Sequence, residues 1–141
     1  MRMSLLFALV FATAGSALVT GCSTTVPATI TRPPAAALDD EPAVFLVAVR
    51  QRDAVKRSLV RAGIRVVESG VAPYNLKVKI GSSRGNQACG TKNNVVYSLS
   101  ARGRTLLGMK GRGWTGDCPE NILDEMSALL ARQFTRGRSA R

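Results

Sequence analysis

Residues 74–80 read Tyr-Asn-Leu-Lys-Val-Lys-Ile. Tyr74, Leu76, Val78 and Ile80 alternate with Asn75, Lys77 and Lys79. A period of two over an apolar set and a polar set is the pattern of a strand with one dry face and one wet face. Such a strand needs covering on one side only, which predicts a two-layer α+β domain.

The flanking segments extend that reading. Upstream, 43–49 (AVFLVAV) is a continuous apolar run suited to a buried central strand. Arg52 and Asp53 then open a short helix in which Val55, Leu59 and Ala62 recur on one side, and Gly63 is a natural stop. Residues 64–67 make a second short strand, completing a βαβ unit with parallel strands and a right-handed crossover. Downstream, 81–94 is rich in Gly, Ser and Asn and reads as a long loop. Residues 95–101 and 105–114 form two strands around an Arg102-Gly103 turn, a hairpin.

The last element is a helix. Asp117 or Cys118 caps it, Pro119 sits in its first turn, and Glu120 suits the positive end of its dipole. Ile122, Leu123, Met126, Leu129, Leu130 and Phe134 form its apolar stripe. Gly137 ends it, and Arg136, Arg138 and Arg141 make a basic tail over 136–141. The expected order is β-α-β-β-β-β-α: a small two-layer α+β sandwich over 43–135, two helices on one face of a mixed sheet. A core of about 95 residues is marginal by itself.

Composition bounds the chemistry. The chain has 141 residues, 20 Lys and Arg against 9 Asp and Glu, a formal net charge of +11, 3 Cys and no His. Without histidine there is no Ser-His or Cys-His pair and no imidazole metal ligand. The basic balance points to anionic partners: phospholipid headgroups, acidic polysaccharide or nucleic acid.

The N-terminus narrows that choice. Arg2 lies in a short n-region, and 5–19 (LLFALVFATAGSALV) is apolar but shorter than the roughly 20 helical residues a bilayer core requires. It reads as the h-region of a signal peptide spanning 1–21. Its end, Val19-Thr20-Gly21-Cys22, resembles the lipobox of bacterial lipoproteins: an aliphatic residue, a small one, Gly, then Cys. The resemblance implies cleavage before Cys22, a diacylglycerol on its thiol and an acyl chain on its new amine. It covers only about the first 25 residues. The alternative is ordinary secretory cleavage after Ala17, leaving Cys22 a free thiol. Ser23 in place of Asp implies, by resemblance to enterobacterial sorting, an outer-membrane protein facing the periplasm. Nucleic acid is then not an expected partner.

Residues 22–42 follow the anchor. Pro27, Pro33, Pro34 and Pro42 lie among Thr and Ala without apolar periodicity, so the segment is expected to be a flexible tether. Its length allows a reach of up to roughly 60 Å. With Cys22 acylated, Cys89 and Cys118 remain, and in an oxidising compartment they are expected to form a disulfide. Closing about 30 residues, the bridge would contribute roughly 3–4 kcal/mol in the chain-entropy model. The competing reading is a reactive thiol at a helix start.

Two patterns tempt towards enzymology. Residues 111–116 (GRGWTG) spell the dinucleotide-binding G-x-G-x-x-G, but the helix after them is the last element and no acidic residue follows that helix to hold a ribose. Glycines there also permit bends and close helix packing. Asp117, Glu120, Asp124 and Glu125 cluster in the first turns of the last helix. They could do paired-carboxylate chemistry or simply complement the dipole. Neither pattern makes an enzyme the expected reading, and no cofactor or metal is expected.

The polar sheet face is the candidate site. If Tyr74, Leu76, Val78 and Ile80 point inward, Lys77 and Lys79 point out. The same phase on the last hairpin puts Lys110, Arg112 and Trp114 out. That face would suit an anionic glycolipid or glycan; the alternative is a solvated face that only keeps the sheet soluble.

Two expectations follow. The first is a non-catalytic outer-membrane lipoprotein acting as an accessory or binding subunit alongside an envelope protein. In architecture such a module is loosely similar to the lipopolysaccharide-assembly lipoproteins, which plug and chaperone an outer-membrane barrel. The second is a binder of anionic glycolipid or envelope polysaccharide through the basic face.

Overall fold

A computed structural model describes residues 25–38, 41–47, 49–84, 91–114 and 120–139. The elements are β1 (Thr25–Arg32), β2 (Ala43–Val47), α1 (Arg52–Arg61), β3 (Arg65–Val67), β4 (Tyr74–Arg84), β5 (Thr91–Ala101), β6 (Arg104–Trp114) and α2 (Glu120–Ser139). The expected order is present, preceded by one further strand. The strands form one mixed sheet ordered β1-β6-β5-β4-β2-β3. β2 runs parallel to both β3 and β4, and β4, β5, β6 and β1 are antiparallel in succession.

The βαβ unit forms as the apolar pattern requires. Val55 and Leu59 bring the dry side of α1 onto the sheet, and both are fully buried. At its end Ile64 N–H donates to Leu59 O (2.9 Å) and Gly63 takes φ +83°, a left-handed stop suited to glycine. The β5–β6 turn is equally local: Arg102 and Gly103 both have positive φ, 49° and 75°, between the paired Ala101 and Arg104. Two such residues give the tight turn whose twist matches a hairpin.

The core lies between the sheet and the helices. Leu76, Val78, Val95, Tyr97, Leu99, Leu107 and Met109 line the sheet side, against Ile122, Leu123, Met126, Leu130 and Phe134 of α2. Tyr74 meets Phe134 edge-to-face, with ring centroids 5.4 Å apart. The Tyr97 and Ser127 hydroxyls, both buried, are 3.2 Å apart and satisfy one another.

Three expectations are corrected. The tether assigned to 22–42 instead contributes β1, which pairs with β6, and a connector that buries Leu38. Ala28 and Ile30 alternate with Thr29 and Thr31 and pack on the core, so the apolar period was there. Pro27 falls at a register shift of an edge strand, where its missing N–H costs nothing in the ladder. Next, the loop expected over 81–94 is largely sheet. Gly81, Ser82, Ser83 and Arg84 pair with Asn94, Asn93, Lys92 and Thr91, because cross-strand partners on both sides of β5 override weak β propensity. Finally, Gly137 does not end the last helix, which runs to Ser139. A Cβ there would lie 2.7 Å from the Leu38 carbonyl oxygen, so glycine admits the connector against the helix flank. The basic tail therefore begins inside α2.

Candidate functional site

α1 and α2 both cover one side of the sheet, and Asn75, Lys77, Lys79, Asn94, Ser98, Lys110 and Arg112 of β4, β5 and β6 face the other. Lys77, Lys79, Lys110 and Arg112 are all exposed there, as the strand phase predicts. The register sets their spacing. Lys79 pairs with Val96, Val96 with Lys110, and Lys110 with Thr29, forming one row across four strands. Gly81, Asn94 and Arg112 form the next row, and Lys77, Ser98 and Gly108 the row on the other side.

At about 4.8 Å between strands and about 6.8 Å between alternate residues, Lys79 and Lys110 stand roughly 10 Å apart. β5 fills the space between them with Asn94, Val96, Ser98 and Ser100, all half-buried. The site is thus a shallow trough of short side chains along β5. Lysines on β4 border one side of it, and Lys110 with Arg112 on β6 border the other. β1, missed in the sequence, adds Thr29 to the Lys110 row and Arg32 beside Gly108. The alternation of Ala28 and Ile30 with threonines was the signal that could have found it.

The described carboxylates lie elsewhere. Among the described residues, Glu41 pairs with Arg65 (3.1 Å), and Glu68 with Arg52 (3.1 Å) and Lys56 (2.5 Å). Hydrogen bonds from Lys56 and then Arg52 hold the Glu68 carboxyl below the usual range. Asp124 pairs with Arg61 (2.6 Å), bracing α2 against α1. Glu125 accepts a hydrogen bond from the Ala28 backbone N–H (2.9 Å). Asp53 sits in the first turn of α1. Lys77, Lys79, Lys110 and Arg112 have no ion-pair partner among the described residues.

Other expected site residues separate from this face or fall outside what is described. Cys22, Cys89 and Cys118 lie outside the described residues, as does Asp117. Trp114 is placed at the end of β6, paired with Lys92. The first half of the G-x-G-x-x-G spelling is ladder, not loop: Gly111 and Gly113 pair with Val95 and Asn93. A Cβ on Gly111 would lie 2.9 Å from Ile122 Cγ2 and 3.0 Å from Met126 Sδ, so this glycine lets α2 sit close on β6. Asp124 and Glu125, from the acidic cluster, are engaged in structural contacts.

At the other end of the sheet, Val71, Pro73, Tyr74, Asn75, Arg102 and Arg104 line an open groove of about 940 Å³ that has no carboxylate among its described lining residues. No cluster of metal-ligating side chains occurs among the described residues. No helix among them is long and apolar enough to cross a membrane.

No family model matches the chain, and no curated protein does. Solved structures do. Two crystal forms of the PelC dodecamer from Paraburkholderia phytofirmans, one of them a point variant, have TM-scores of 0.49 at 15% and 14% identity. Each match covers 79% of this chain and 97% of the other. A minor lipoprotein from Acinetobacter baumannii has a TM-score of 0.40 at 16% identity, covering 71% of this chain and 95% of that one. The likeness is one of chain path, and the functional reading rests on this chain's own residues.

Proposed function

We propose that the chain is a non-catalytic lipoprotein of the bacterial outer membrane, anchored through Cys22, whose working surface is the open basic face. Its ligands are anionic groups of envelope glycolipid or polysaccharide. The lipobox at Val19 to Cys22 supports the anchor. One observation carries the binding: four exposed cations flank a trough of short side chains, while Glu41, Glu68, Asp124 and Glu125 serve contacts elsewhere. Like charges this close repel one another, and an incoming anion relieves that repulsion. Lysine ammonium and arginine guanidinium groups on both sides can together hold phosphate or carboxylate oxygens by charge-assisted hydrogen bonds.

The test is binding of the native protein, in mild detergent, to immobilised dextran sulfate at several salt concentrations. Affinity should fall steeply with salt. Lys110→Glu with Arg112→Glu should lower it by about tenfold or more, the weight of at least one charge-assisted hydrogen bond. Salt-independent recovery of a single envelope protein, unchanged by those substitutions, would replace this reading with that of an accessory subunit.

A further inference from the structure

The open face has a direction relative to the anchor. Only Ser23 and Thr24 separate Cys22 from Thr25, the first residue of β1. Three Cα steps span roughly 10 Å at most. Thr25 pairs with Gly113, between the Lys92 row at the end of the sheet and the Arg112 row. The Lys110–Lys79 row follows about 7 Å further on, and Lys77 after the same interval again. Arg102 and Arg104 lie at the opposite end of the hairpin, roughly 30 Å from Arg112. A long tether would allow any orientation. If Cys22 carries the acyl chains, a β1 built into the sheet holds the Arg112 end of the face closer to their bilayer than the Arg102 turn.

The range of surface charge makes that placement matter. The field of an anionic leaflet decays over a Debye length, about 8 Å at physiological ionic strength. Arg112 lies at most about two such lengths from the anchor, Lys110 and Lys79 at most about three to four, and the Arg102 turn lies furthest. Acyl chains combined with cations form a two-signal attachment.

We propose that the Arg112, Lys110 and Lys79 end of the open face docks on the phosphate-bearing headgroups of the leaflet that holds the Cys22 lipid. This deepens the proposed function and rests on its lipid anchor. The domain is drawn onto its own membrane, and its ligand is membrane-borne rather than a free polymer.

The experiment uses the full, lipidated protein reconstituted in two vesicle types, phosphatidylglycerol mixed with phosphatidylcholine, and phosphatidylcholine alone. A brief pulse of amine acetylation is read lysine by lysine by mass spectrometry. In the anionic vesicles, Lys110 and Lys79 should label about fivefold more slowly, the weight of one basic residue at such a surface. Lys56 on α1, held by Glu68, should label equally in both. Arg112→Glu should abolish the difference at Lys110, whereas Arg102→Glu with Arg104→Glu should preserve it.

Equal labelling of Lys110 and Lys79 in the two vesicle types overturns the proposal. So does loss of the effect in the Arg102/Arg104 variant, which would make net charge the cause. If dextran sulfate slows labelling of Lys110 but anionic vesicles do not, the face binds polymer; the docking fails and the proposed function stands. If neither slows it, both fail. An intact mass without acyl chains removes the anchor and overturns both.

Discussion

Gly137 illustrates how one position can be misread from sequence for a sound physical reason. A glycine followed by arginines near a chain end has the form of a helix stop. Here it lies within α2, and a Cβ would meet the Leu38 backbone at 2.7 Å. Replacing glycine by alanine in a helix interior ordinarily gains about 1 kcal/mol. Gly137→Ala should instead lose stability, by about 1–3 kcal/mol, because the obstructing atoms are backbone and cannot swing aside. Urea denaturation of the pair of proteins decides it, and a gain in stability would mean that the connector moves freely.

Tyr97 supplies a pH-dependent prediction at the same scale. Burial pushes its hydroxyl from 10.0 up to about 12. Between those values the unfolded chain has released a proton that the folded chain keeps. Stability therefore falls as pH rises through that window, by about 1.4 kcal/mol per unit. Tyr97→Phe should cost about 1–2 kcal/mol at neutral pH, since the Ser127 hydroxyl loses its partner. The same substitution should remove this alkaline loss. Denaturation at pH 8 and pH 11 compares the two slopes; equal slopes would mean that the folded phenol ionises normally.

Among the elements, β1 changes the reading most. Its amide at Ala28 points away from β6 and is capped by Glu125 of α2. An edge strand with open amides invites pairing with other chains, and a side-chain cap is one way of closing it. Glu125→Ala should cost about 1–2 kcal/mol by leaving that donor without its acceptor. It should also speed amide exchange at Ala28 while the central strand β5 keeps its protection. Unchanged exchange at Ala28 would show that water serves the amide as well as Glu125 does.

The other elements differ in how much of their signal is local. β4 was legible because Tyr74, Leu76 and Val78 alternate with Asn75, Lys77 and Lys79, and α1 because Val55, Leu59 and Gly63 follow helical spacing. The Gly- and Asn-rich ends of β4 and β5 carry no such period; neighbours hold them in the sheet. β1 had a period but also Pro27, and only an edge position with a register shift accommodates that proline.

For the whole molecule, charge and architecture act together. The helices occupy one side of the sheet, and Lys77, Lys79, Lys110 and Arg112, without ion-pair partners among the described residues, the other. Self-repulsion among Lys77, Lys79, Lys110 and Arg112 opposes folding, and added salt screens it. The exposed pairs, such as Arg61 with Asp124, contribute at most about 1 kcal/mol each and lose little. Raising salt to about 0.5 M should therefore raise the melting temperature. Lys110→Ser should shrink that rise; a melting temperature that falls with salt in both proteins would make the ion pairs dominant.

What the sequence determined by itself follows from spacing between near neighbours. The two-layer α+β class, the βαβ unit, the last helix and the outward phase of Lys77, Lys79, Lys110 and Arg112 all rest on periods of two or of three to four. Such periods survive without knowledge of any partner. The tertiary structure decided where distant segments meet. It placed β1 against β6, 81 residues away at the Thr29–Lys110 pair, and Leu38 against Gly137. It thereby joined the chain from Thr25 onward to the edge of the basic face. Contacts of that kind depend on which backbone edge and which gap remain open once the core has packed, and no local pattern encodes them.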